Sequence, residues 1–126
     1  MTHPILALQA ALVPALRDAL QIPVFDAPPN GAAPPYVAIA RHDVLPRDGD
    51  GAPGHEHRLL LSIRGADAAR RPVVEIAETA LATALAVSPD GLTVTLARHV
   101  RTETSIDAAS GRARAALSII LFTEPS

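Results

Sequence analysis

Apolar positions recur at helical spacing from the start of the chain. Ile5, Leu8, Leu12, Leu16 and Leu20 fall on one side, with Arg17 and Asp18 on the wet side. Thr2 predicts an N-cap, and Pro4 sits in the first turn, where its missing N–H costs nothing. Pro14 lies inside this pattern and predicts a kink or a break near Val13. Ile22–Phe25 reads as a short strand, followed by a turn-rich connector, Asp26–Gly31. Tyr36–Val44 and Glu56–Arg64 then read as strands, the second ended by Gly65. Asp67 predicts the cap of a second helix reaching about Val87, with Pro72 near its start. Val74, Ala77, Leu81 and Leu85 lie along one face of it. After the turn Ser88-Pro89-Asp90-Gly91 the period changes to two. Leu92, Val94, Leu96 and Val100 share one face, and Thr93, Thr95, His99 and Arg101 the other. Asp107–Gly111 supplies a hairpin connection. Ala115–Thr123 is apolar on both faces, which predicts an interior strand.

The resulting order is α-β-β-β-α-β-β, without repeats, over one domain spanning residues 1–126. Strands joined by hairpins, with helices flanking the run, indicate an α+β fold. Its mainly antiparallel sheet has about five strands, with two packed helices. Leu45–Gly54 interrupts the pattern with two prolines and three glycines, longer than the roughly 2–5 residues a hairpin needs. A polar loop of that length, in a chain with no evident catalytic set, predicts an element that orders against a partner. Arg47, Asp48, Asp50 and His55 are its candidate partner-binding residues.

Composition narrows the function. Of 126 residues 48% are hydrophobic, yet only Phe25, Tyr36 and Phe122 are aromatic, so the core is aliphatic. Few aromatics argue against single-stranded nucleic-acid binding, which relies on stacking platforms. Eleven basic residues, all arginine, face 13 acidic ones, for a net charge of −2 and no whole-chain footprint for phosphate. Cysteine is absent, so neither disulfides nor thiolate metal sites form. The sequence shows no signal-peptide pattern and no apolar run near the roughly 18 residues of a membrane span.

Candidate chemistry is sparse. His55 and His57 project from one side of a strand, and His99 could join them as a third metal ligand. The ordinary reading is two surface histidines at a strand start. Asp48 and Asp50 superficially suggest a calcium loop, but Ala52 and Pro53 break the donor pattern. Glu75 and Glu78 lie one turn apart on the polar face of the second helix, where solvated carboxylates are the simpler account. Arg98, Arg101, Arg112 and Arg114 gather around the last hairpin, interrupted by Glu103 and Asp107, which suggests cross-strand ion pairs. Nothing assembles a nucleophile, a base and an oxyanion donor, so no catalytic residue, metal or cofactor is expected.

The opening Met1-Thr2-His3-Pro4-Ile5-Leu6-Ala7-Leu8-Gln9 leads to Val24-Phe25-Asp26-Ala27-Pro28-Pro29 and then to Pro35-Tyr36-Val37-Ala38-Ile39-Ala40 with Arg41-His42-Asp43. The loop closes into Glu56-His57-Arg58-Leu59, and a helix and a terminal hairpin complete the chain. This layout resembles the tail-completion or tail-terminator proteins of long-tailed phages, particularly those of bacterial gene transfer agents. One departure is Ile63-Arg64, where relatives often place an aromatic residue. The resemblance implies a hexameric ring at the head-proximal end of the tail, in the neck of a phage-like particle assembled in the bacterial cytoplasm. Its implied partners are further copies of itself, the major tail tube protein and the head-completion (stopper) protein. DNA would pass through the lumen without specific binding, and no membrane is involved. A slightly acidic, aromatic-poor chain suits a lumen through which DNA slides. The alternatives are another neck component, a stopper or an adaptor, or a small metal-binding module or enzyme using His55, His57 and His99.

Overall fold

A computed structural model describes residues 2–27, 29–48 and 53–126. Helix α1 (Pro4–Leu20) is followed by strands β1 (Val24–Phe25), β2 (Tyr36–Pro46) and β3 (His55–Arg64). Helix α2 (Arg70–Leu85) and strands β4 (Leu92–Ile106) and β5 (Ala113–Pro125) complete the order. The five strands form one sheet in the order β1-β2-β3-β5-β4. All pairings are antiparallel except the short β1, which runs parallel to β2 through Val24↔Val37. The α+β architecture and the interior place of the last strand are as the pattern predicts.

α1 begins one residue later than Thr2 suggests: His3 is the N-cap, and its Nδ1 accepts the Ile5 N–H at 3.1 Å. The helix runs through Pro14 without ending. Pro14 and Ala10, whose carbonyl loses its N–H partner to the proline, both lie on the exposed side. Gln21 closes α1 in the left-handed region (φ +56°), its N–H reaching Arg17 O at 2.9 Å. The Arg17 guanidinium donates twice to Val24 O, at 3.0 and 2.8 Å, tying β1 to the end of α1.

α2 differs from expectation at its start and along its face. Ala69 is the N-cap, while Asp67 Oδ1 accepts the Ala69 N–H at 2.9 Å and so orders the turn before the helix. The buried stripe is Val73, Ala77, Ala80 and Ala84, and Leu85 is 38% exposed. The two candidate stripes share Ala77 and are otherwise offset by one residue, a rotation of about 100°. Small alanine side chains win because they let the helix axis approach its neighbours closely, whereas leucines would hold it off. Gly65 shows the same tightness, since a Cβ there would meet Ala113 O and Val73 Cγ1, each at 2.8 Å.

Both helices cover one face of the sheet. Leu61, Ile63, Leu117, Ile119 and Leu121 on that face pack with Leu8, Leu12 and Leu16 of α1 and Val73 of α2. Each fully buried aliphatic side chain contributes about 1.5–3 kcal/mol relative to exposure. Two bulges reset β4. The register shifts between Val94 and Leu96 and again between His99 and Arg101. Each extra residue reverses the alternation. Val94 and Ala97 therefore pack against the core, whereas Leu96 and Val100, expected on the same face as Val94, are 52% and 50% exposed.

Candidate assembly site

The β2–β3 connection is tighter at its base than the breakers alone suggest. Leu45 and Pro46, read from sequence as loop, are paired strand residues opposite Glu56 and His55. Proline is tolerated there because it sits at the end of the strand. Arg47 N–H then donates to Gly54 O at 2.8 Å, and Gly54 N–H reaches Asp48 Oδ1 at 3.4 Å. Gly54 is the residue this closure requires, since a Cβ on it would stand 2.5 Å from Arg47 O. Asp50, the fourth candidate contact with Arg47, Asp48 and His55, lies outside the described residues.

A buried carboxylate holds that base. Glu56 projects from the face of the sheet opposite the helices, yet is only 3% exposed. Its Oε1 accepts Arg47 Nε at 2.8 Å and its Oε2 accepts Arg58 Nε at 2.7 Å. These bonds, from Arg58 first and Arg47 second, hold its carboxyl below the usual range. Arg47 thus has an intrachain partner through Nε, and both arginines keep more than half their side-chain surface exposed. The guanidinium has five N–H donors, so the outward ones remain available to another chain.

On the core side lies a feature that sequence reasoning missed. Gln9 Nε2 donates to His42 Nδ1 at 3.1 Å, so His42 carries its proton on Nε2 and donates it to His57 Nδ1 at 2.9 Å. His57 Nε2 in turn meets Thr123 Oγ1 at 3.0 Å. One directed chain therefore links α1, β2, β3 and β5, with each imidazole neutral. Burial pushes His42 down to about 4, an effect Asp43 partly offsets and His3 adds to. Burial likewise takes His57 to about 4, with His42, His55 and His3 adding to it. His57 is 0% exposed, which corrects the reading of a surface histidine. His42 escaped notice because the β2 bulge between Ile39 and Arg41 turns it to the core face against the simple alternation.

The other candidates separate. His55 is half-buried, and its Nδ1 has no hydrogen-bond partner among the described residues. His99 is exposed on β4 and bonds Thr102 Oγ1 at 2.8 Å. No group of three or more His, Cys, Asp or Glu that could hold a metal occurs among the described residues. Glu75 is exposed and pairs with Arg71 at 3.2 Å. Around the last hairpin Arg101 pairs with Glu103 along the strand at 2.7 Å rather than across it, while Arg114 Nε crosses to Ser105 Oγ at 2.9 Å.

What remains conspicuous is the sheet face opposite the helices. Leu60, Ile120 and Phe122 are half-buried there, beside the exposed Leu96 and Val100. A groove of about 320 Å³ runs between Arg41, Asp43, Arg58, Leu60, Val100 and Ile120. No helix or loop among the described residues lies over this face. Such a face is suited to burial against another protein.

Comparison with known proteins places the fold and the family. The fold superposes on a chain from a structure titled "Virion of native gene transfer agent (GTA) particle" with a TM-score of 0.72. The two are 20% identical, and the match covers 98% of this chain and 99% of the other. A search of curated protein sequences gave no match. Residues 6–122 match the family described as "Tail completion protein gp17". With nearly its whole length matched by that family's model, the chain belongs to the tail completion protein gp17 family.

Proposed function

We propose that this protein is the tail terminator of a phage-like particle. It closes into a six-fold ring on the head-proximal end of the tail tube, stops tube polymerisation and joins the tail to the head-completion ring. DNA passes through the lumen without specific binding. The protein acts as a structural component, not an enzyme. Family membership over residues 6–122 carries this reading. Two features of the chain support it: a sheet face with no covering layer, and a loop whose base is fixed while its outer donors stay open. Arg47, Asp48, Asp50 and His55 are the proposed contacts of that loop with a neighbouring subunit or the tube. The test is deletion of the gene, followed by electron microscopy of the lysate. The expected result is abnormally long tails, or tails detached from filled heads. Normal tails joined to heads would overturn the assignment.

A further inference from the structure

We infer that the helix-free sheet face of one copy docks on the α1 side of a second copy, head to tail. This rests on the ring reading above and names the surfaces the ring would use. The two sides differ in side-chain size. The sheet face presents large groups, with Leu96 and Val100 half-exposed beside Ile120 and Phe122. On the opposite side α1 carries no charged residue before Arg17 and exposes Leu6, Ala10 and Pro14. Between α1 and the α2–β4 turn runs a groove of about 460 Å³ lined by Ala7, Ala10, Ala11, Pro14, Ser88 and Asp90. Large apolar groups on one side and a groove of small residues on the other are complementary.

Charge divides the same way. By strand register the sheet face carries six arginines (Arg41, Arg58, Arg64, Arg98, Arg101 and Arg114) against four carboxylates, Asp43, Glu56, Glu103 and Glu124. The rest of the chain holds five arginines against nine carboxylates. Among the described residues Arg64, Arg98 and Arg114 form no ion pair. Asp90 lines the groove, and farther along α1 Asp18 is exposed beside Arg17. The basic sheet face therefore meets a groove whose one charged lining residue is acidic. Because the two surfaces are different, the contact is heterologous, and such contacts close into rings when the rotation between copies permits. Two sheet faces meeting each other would instead oppose like charge.

The chain has no cysteine, so engineered pairs report the contact cleanly. Ser118→Cys places a thiol on the sheet face and Ala10→Cys one on α1. In particles assembled with the double variant, mild oxidation should give a ladder of crosslinked copies, while each single variant should stay uncrosslinked. A Ser118→Cys dimer, a Ser118→Cys adduct to a different tail protein, or no ladder in particles with normal tails would each overturn this docking. The last of these leaves the terminator reading intact, whereas particles that join normally without the chain overturn that reading first. A second arm uses charge. Arg98→Glu should lower joined particles at least tenfold, and Asp90→Arg added to it should restore them. No loss with Arg98→Glu, in protein of normal thermal stability, overturns the proposal as well.

Discussion

The two faces of the sheet are built by the same strands, residue by residue in alternation, yet they reach different ends. On one face Leu61, Leu117, Ile119 and Leu121 are sealed beneath α1 and α2. On the other, Leu60, Ile120 and Phe122 are half-covered, and Leu96 and Val100 stand open. Apolar content on both faces of β5 is thus necessary for its interior position but does not imply a second covering layer within the chain. The first face pays for folding; the second is available for assembly.

Truncation on each side sharpens that contrast most strongly. Leu117→Ala should cost about 2–5 kcal/mol, because it opens a cavity in the aliphatic core. Ile120→Ala, nearby on the same strand but on the other face, should cost under about 1 kcal/mol in the isolated chain. It should nevertheless depress joined particles. Urea unfolding of both variants, alongside particle counts, checks the pair; equal stability losses would erase the distinction.

Acid probes the sealed side first, before the carboxylate of Glu56 begins to take up protons. His42 and His57 sit near 4 in the fold against an ordinary 6.5. Between those values the unfolded chain takes up protons that the folded chain rejects. Stability should therefore be full above about pH 6.5 and fall as pH drops toward 4. At pH 5 the loss should be about 2 kcal/mol, allowing for the partial exposure of His42. Thermal melts across this range test the slope, and His57→Gln should flatten it.

Effects shrink at the loop. Glu56→Gln removes the charge that holds Arg47 and Arg58, and should speed hydrogen exchange of the Arg47 amide while leaving core amides protected. Unchanged exchange at Arg47 would mean that the backbone pair with Gly54 suffices. Smallest of all, replacing Asp48–Pro53 by a tight Asn-Gly turn should change stability by well under about 1 kcal/mol, since loop length enters only logarithmically. The same change should impair tail joining, and joined-particle yield at the wild-type level would remove the loop from the docking surface.

Most of the fold was legible because its signals are periodic. The α1 stripe, the turn at Ser88–Gly91 and the Asp107–Gly111 hairpin all stand where the pattern puts them. What escaped is what alternation cannot carry. Three bulges, near Ala40, Thr95 and Val100, reverse which side chains face the core. They moved His42 inward and Leu96 outward. The stripe of α2 was misread because leucine outranks alanine in hydrophobicity but not in closeness of packing. At the candidate site, Arg47, Asp48 and His55 were visible as loop chemistry. The clamp on Glu56 was not, because it depends on two strands meeting in register. The sealed histidine chain likewise needs residues from four elements.

The most direct measurement is a cryo-EM reconstruction of the head–tail junction of intact particles. The account predicts a closed ring of this chain between tube and head, with Leu96, Val100 and Ile120 of each copy buried against α1 of the next. A junction lacking this chain contradicts the terminator assignment. A ring of this chain whose sheet face stays open to solvent contradicts the reading of that face as the assembly surface.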